Sequence, residues 1–322
     1  MKNVFQLFTR FKDNPILTTQ DLAYSANSIF NPGAVKFNGK TLLLCRVEDR
    51  RGFSHLTKAT SKNGQNKWKI DEKPTFLPSP EGYPEEIWGV EDPRITYLEE
   101  LNQYAVCYTA YSKRGPLISL ALTQNFEEFE RKGAIMPPED KDAAFFPCKF
   151  NNSWLLIHRP MPSRLSQGAH IWLSSSPDLI HWGKHKVLME ARNGGWWDSH
   201  KIGLGAQPIK TKDGWLIIYH GVRKNAAGSI YRLGLALLDL ENPFKIICRP
   251  EEWILAPEQP YEMTGEVENV IFTCGAVCNE REDELKVYYG ASDTSICLLT
   301  ARVDDILEYL KTCKQKKGLF YS

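Results

Sequence analysis

The chain lacks nearly everything that would mark it for a membrane, a nucleic acid or a metal. Its 322 residues carry 40 lysines and arginines against 39 aspartates and glutamates, a formal net charge of +1. No general field therefore draws it to nucleic acid or anionic lipid, and any anion it binds must be caught by residues gathered locally. No apolar run approaches the length of a membrane span. The opening Met1-Lys2-Asn3-Val4-Phe5 gives way to Arg10, Lys12 and Asp13 before a secretory apolar core can form. A cytoplasmic protein with no nucleic-acid or membrane partner is expected. Linkers rich in Pro, Gly or Ser and low-complexity tracts are missing as well, which predicts one domain over residues 1–322.

Paired cysteines are also missing. The eight present (Cys45, Cys107, Cys148, Cys248, Cys274, Cys278, Cys297 and Cys313) include no CxxC, and most sit in apolar, strand-like segments. Reduced core thiols are expected in place of a disulfide framework. Cys274 and Cys278 lie four apart, but the seven histidines show no complementary spacing, so no metal site is expected. Helical periodicity is scarce. One stretch, 303–314, places Ile306, Leu307 and Leu310 on one face and predicts a short C-terminal helix.

What the chain does have is a repeat. Five short apolar runs stop at polar or charged residues or at glycine: 42–45 before Arg46, 104–108 before Thr109, 154–157 before His158 and Arg159, 215–219 before His220, and 285–289 before Gly290. Each is followed by a second strand-like stretch, often with a turn and an aromatic residue after it, such as Trp68, Phe126, Trp182 or Phe244. That spacing suits one four-stranded blade per unit, and the fold predicted is all-β, a five-bladed β-propeller with a short C-terminal helix. With the runs read as innermost strands along the axis, their ends converge on one mouth of the central channel. The first thirty or so residues, ending at Asn31-Pro32-Gly33, would add a strand that closes the last blade, because a propeller must hide its terminal edges.

Polar residues gather where that mouth is predicted. Trp88-Gly89-Val90-Glu91-Asp92-Pro93-Arg94 precedes the second run. Pro93 is expected to push Asp92 into extended geometry and aim its carboxylate into the channel. The residues alone also allow a Glu91–Arg94 ion pair with Asp92 holding a turn. Arg46-Val47-Glu48-Asp49-Arg50-Arg51-Gly52 mixes guanidinium groups with carboxylates, the donors and acceptors that sugar hydroxyls require. Asn31 and Asp293 are further polar groups for a sugar rim. Arg159 and His220 end the third and fourth runs, and with Lys201 and Lys141 they would suit a phosphate. Trp88, Trp196 and Trp197 offer flat faces for a pyranose, although each reads equally as core packing.

At these residues the chain resembles glycoside hydrolase family 130, the β-mannoside phosphorylases and related mannosidases, which are five-bladed propellers. The likeness runs in order through Asn31-Pro32-Gly33, the 46–52 and 89–94 segments, His158-Arg159-Pro160, Lys201-Ile202-Gly203, Tyr219-His220-Gly221-Val222, Tyr231-Arg232-Leu233-Gly234 and Tyr288-Tyr289-Gly290-Ala291-Ser292-Asp293. It implies Asp92 as the general acid, passing its proton through the 3-hydroxyl of the mannosyl unit. It implies phosphate binding by Lys141, Arg159, Lys201 and His220, and mannosyl contacts from Asn31, Arg46, Asp49 and Asp293. The ligands implied are a β-mannooligosaccharide and inorganic phosphate as co-substrate, with no cofactor, and homo-oligomers are common in the family. Gly205-Ala206-Gln207-Pro208 and Cys148 in Phe146-Pro147-Cys148-Lys149 depart from the family pattern and bear on acceptor choice.

Inverting hydrolysis generally needs two carboxyl groups. Phosphorolysis needs one, because phosphate is already an anionic nucleophile that a basic cradle can orient. The expected reaction converts a β-mannoside and phosphate into α-mannose 1-phosphate and a shortened acceptor, with the linkage, β-1,2 or β-1,4, left open. A β-mannosidase using Glu266 or Glu268 as base and a non-catalytic sugar-binding propeller are the alternatives.

Overall fold

The computed structural model describes residues 7–161, 168–226 and 228–316, with side chains to residue 312; Met1 to Phe5 and the Cys313 side chain lie outside the described residues. Five antiparallel sheets follow one another along the chain. Their innermost strands are Ser28–Phe37, Val90–Leu98, Asp140–Phe145, Lys201–Leu204 and Ile271–Cys278, which pack around a common axis. Next outward come Lys40–Glu48, Gln103–Ser112, Trp154–Pro160, Gly214–Asn225 and Glu284–Ala291. The five-bladed propeller is as expected, but the apolar runs lie in these second strands and not in the innermost ones. A second strand is packed on both faces between neighbouring blades, so it reads as a continuous apolar run. The inner strands are broken by polar residues, which hides them.

Those breaks are β-bulges at one repeated position. In the first three blades two inner-strand residues, Asn31-Pro32, Asp92-Pro93 and Asp142-Ala143, face a single partner, Cys45, Tyr108 and His158 respectively. The leading residue has positive φ each time: +43° at Asn31, +49° at Asp92 and +56° at Asp142. Asp92 is therefore left-handed and not extended as the following proline suggested. A bulge requires the unusual backbone, and Asn and Asp tolerate it better than most residues.

In the second strands, the residue at this level is followed by one with the opposite orientation, because side chains alternate across a strand. Tyr108, His158, Tyr219 and Tyr289 bond to buried acids. Tyr108 Oη donates to Glu86 Oε1 (2.6 Å), Tyr219 Oη to Asp198 Oδ2 (3.3 Å) and Tyr289 Oη to Glu262 Oε1 (2.8 Å), while His158 Nδ1 meets Asp140 Oδ2 (2.6 Å). Each bond ties the approach to an inner strand onto the neighbouring second strand. The residues that follow, Thr109, Arg159, His220 and Gly290, and Arg46 at the same level of the first blade, face the other way.

Thr9–Arg10 adds the outermost strand of the fifth blade, pairing Thr9 with Thr300 and Arg10 with Leu299. Arg10 then grips Glu262 through Nε and Nη2 (2.8 and 2.9 Å) and Glu258 through Nη1 (3.0 Å). The helix Val303–Lys316 covers the same blade with Ile306, Leu307 and Leu310, all buried, as its spacing predicted. Among the described residues no helix is long and apolar enough to cross a membrane.

Glu262 is fully buried, so removing it strands a largely buried guanidinium. Glu262→Ala should lower stability by about 3 kcal/mol, read as a shift in the midpoint of chemical denaturation. A loss no larger than that of an exposed pair would show that this grip does not close the ring.

Candidate active site

The bulges and the mouth-facing second-strand positions bring most of the expected residues together. Asp92 is buried, and its Oδ1 accepts from Asn31 Nδ2 and Arg46 Nη1, both at 3.0 Å. Those bonds leave Oδ2 aside. Arg46 is held in turn by Ser54 Oγ (2.9 Å), Glu91 Oε1 (3.1 Å) and the face of Phe30, 4.5 Å from the ring centre. Glu91 also accepts from Lys141 Nζ at 3.2 Å. The imagined Glu91–Arg94 pair does not form. Burial, the largest influence on the Asp92 carboxyl, pushes its pKa up, but Arg46, Lys141 and Arg94 together with the Asn31 amide reverse this and hold it below the usual carboxylate range. In the free protein Asp92 is ionised.

Beyond Asp92 lies a wall of cations organised by Arg94, for which the sequence offered only an ion pair with Glu91. Arg94 is fully buried and donates to the carbonyls of Asp92 (3.1 Å), Leu204 (2.7 Å) and Gly205 (2.7 Å) and to Asp142 Oδ1 (3.3 Å). Asp142 Oδ2 accepts from Arg159 Nε at 2.6 Å and stands 3.5 Å from His220 Nε2. Burial would raise the Asp142 carboxyl, but the Arg159 and Arg94 guanidinium groups hold it far below the usual range. His220 is buried, with neither ring nitrogen hydrogen-bonded among the described residues, and packs on Phe272 at 4.6 Å between centroids. Burial first, then Arg159, Lys201 and Arg94, push its pKa down to about 3 against the pull of Asp142, so the imidazole is neutral. Lys201 Nζ lies 5.1 Å from the centre of the Tyr231 ring.

Asp293 occupies the hairpin turn after the fifth second strand, with φ +51°. Burial, helped by Asp92 and Glu48, pushes its carboxyl up to about 6 although Arg46 and Lys141 pull the other way. Asp49 is brought only to the same edge: its carboxylate accepts from the backbone of Arg51 and Phe53 and from the Arg51 guanidinium, within a turn. Trp197 is core, stacked on Tyr219 at 5.6 Å. Trp88 and Trp196 are exposed, and Trp196 lines an open cleft of about 480 Å³ with Asn193 and Trp253. Glu266 and Glu268 are exposed loop residues. Asp142 had a signal that went unused. Asn31, Asp92 and Asp142 stand 11, 12 and 12 residues ahead of the runs starting at 42, 104 and 154.

The chain matches the glycoside hydrolase family 130 profile, described as β-1,4-mannooligosaccharide phosphorylase, over residues 4–312. It is 36% identical over 308 residues to a 1,2-β-oligomannan phosphorylase of Thermoanaerobacter sp., covering 92% of this chain and 98% of the relative. To a β-1,4-mannooligosaccharide phosphorylase of Ruminococcus albus it is 33% identical over 309 residues, covering 94% and 90%. Its fold matches the β-1,2-mannobiose phosphorylase of Listeria innocua, solved in complex with β-1,2-mannobiose, with a TM-score of 0.85 at 30% identity over 95% of this chain and 99% of that one. A profile match over nearly the whole length, relatives at 33% and 36% identity and a shared fold place this protein in glycoside hydrolase family 130.

Proposed function

We propose that this protein is an inverting β-mannoside phosphorylase. It transfers a terminal β-mannosyl unit of a mannooligosaccharide to inorganic phosphate, giving α-mannose 1-phosphate and a shortened acceptor. The observation that carries the reading is His220, buried beside Arg159 and Asp142 with both ring nitrogens unbonded. An unsatisfied polar group in such a place is costly unless a ligand completes it. Arg159 supplies a fork, Lys141 and Lys201 supply point charges, and neutral His220 supplies a ring nitrogen for the phosphate.

The phosphate attacks the anomeric carbon from the side opposite the departing oxygen, and that oxygen must gain a proton. Asp92 gives it from Oδ2, through the 3-hydroxyl of the mannosyl unit, while Asn31 and Arg46 keep Oδ1 fixed. The field that ionises Asp92 in the free protein is the field that attracts phosphate. A dianion laid against Lys141 and Arg159 cancels part of it, so Asp92 takes up a proton from solvent as phosphate is seated, and acid and nucleophile become ready together. Arg46, Asp293 and Asp49 would bind the mannosyl hydroxyls, and the reaction calls for no cofactor.

Hydrolysis would need a carboxylate able to take a proton from water on the phosphate side. Asp142 is the carboxylate there, and Arg159 and Arg94 hold it too acidic to serve as a base.

Purified enzyme given β-1,2- or β-1,4-mannobiose should release mannose 1-phosphate when phosphate is present and be nearly idle without it. Equal sugar release in both arms would replace this reading with the mannosidase. Asp92→Asn should cut turnover at least about 100-fold, the scale of lost general acid catalysis, while circular dichroism and Tm stay near wild type; near-normal activity would remove Asp92 from the role.

Asp293 generates a pH prediction. Its carboxyl is raised in the folded protein to about 6, so between the ordinary aspartate value and about 6 the unfolded chain loses this proton first and stability falls as pH rises. Asp293→Asn should therefore stabilise the protein by roughly 2 kcal/mol at pH 7 and by little at pH 4, at the expense of activity. Denaturation midpoints at the two pH values test this, and a pH-independent difference would contradict it.

A further inference from the structure

We infer that Asp142 is the residue that positions the nucleophile, fixing Arg159 and His220 so that phosphate meets a preformed cradle. The inference rests on the phosphorylase reading but adds a role to a residue that reading leaves idle. An anion beside an anion-binding site needs a reason, because its charge alone repels phosphate.

The reason lies in which nitrogens it occupies. Asp142 takes the inner Nε of Arg159 at 2.6 Å and Met161 Sδ takes Nη1 at 2.6 Å, which together pin the plane of the guanidinium. Fixing a planar donor fork in advance reduces the ordering cost when the ligand binds. Arg94 needs Asp142 far less, since three backbone carbonyls already accept from it at 2.7–3.1 Å. A mere counter-ion for Arg94 would not need contact with Arg159 and His220 as well.

Two further features of the backbone serve this arrangement. Asp142 leads a bulge with φ +56°, which places its carboxylate at the axial position that Asn31 and Asp92 occupy in their blades. Across from it the fourth inner strand has Gly203, in register with His220. A Cβ at Gly203 would collide with Asp142 Oδ2 and lie 2.5 Å from His220 Cε1. Only glycine lets the carboxylate of one blade and the imidazole of the next share that space.

The test uses Asp142→Asn, which keeps the shape and removes the charge, and Gly203→Ala, which keeps the charge and wedges the pair apart. In the intact enzyme both should raise KM for inorganic phosphate about 10-fold or more, the scale seen when a residue behind a ligand-binding group is lost. KM for mannobiose should stay within about two-fold, because Asn31, Arg46 and Asp92 are untouched. Calorimetric titration with phosphate alone should show the same loss of affinity. Unchanged phosphate affinity in Asp142→Asn, or equal rises in both KM values, would reduce Asp142 to a structural counter-ion. If Asp142→Asn does not fold, Gly203→Ala decides: wild-type phosphate affinity there overturns the proposal. A wild type inactive in both arms but still binding phosphate would condemn the reaction assignment, and the titrations would still judge Asp142.

Discussion

The mouth of this propeller depends on one buried guanidinium. Five inner strands converge on the axis, and where they bulge or end, their carbonyls lose strand partners inside the protein. Arg94, from the second blade, satisfies the carbonyls of Asp92, Leu204 and Gly205 and also reaches Asp142. It joins three blades at a point too crowded for ladder hydrogen bonds. Taking that charge out of water is costly, and the cost is offset only because nearly every donor finds an acceptor. The position of Asp92 relative to the cationic wall follows from this knot, since Arg94 holds the Asp92 backbone and the Asp142 carboxylate together.

Around it, the site separates its acids by environment. Asp92 and Asp142 lie among cations and are held ionised, whereas Asp293, near Arg46 but more strongly affected by burial, is pushed towards neutrality. His220 stays neutral despite a carboxylate at 3.5 Å, because burial and three surrounding cations outweigh it. Three carboxyls and one imidazole within a single mouth thus hold protons very differently, although the sequence assigns them ordinary values.

How much of this was legible in the sequence varied with the physics behind each part. Strands buried on both faces write continuous apolar runs, so the blade count and the end-of-run residues Arg46, Arg159 and His220 could be read directly. The rank of those strands could not, because most of the innermost ones are interrupted by bulges that break their apolar pattern, and the runs read as one place nearer the axis than they lie. Proline after Asp92 suggested an extended backbone, yet a bulge imposed by the neighbouring strand overrode that local preference. Asp142 escaped notice because alanine, not proline, follows it, which hid its equivalence to Asn31 and Asp92. Asp49 was named through the family likeness, and the fold places it in a turn with Arg51, where spacing alone says nothing of orientation. The departure at Gly205 proved to supply a carbonyl to Arg94.

The outermost strand of the fifth blade has a consequence for synthesis. Thr9 and Arg10 leave the ribosome before any of the five inner strands, and their partners Thr300 and Leu299 leave after all of them. Domains usually fold as their residues emerge, but here this segment must wait, unpaired, until the last strand of the fifth blade has been made. The closing strand therefore stays unpaired while the blades between are made, and a product truncated before the fifth blade would have neither the closing strand's partner nor the Asp293 turn. Ring closure in this architecture is thus set by the order of synthesis as well as by the strength of the contacts that hold it.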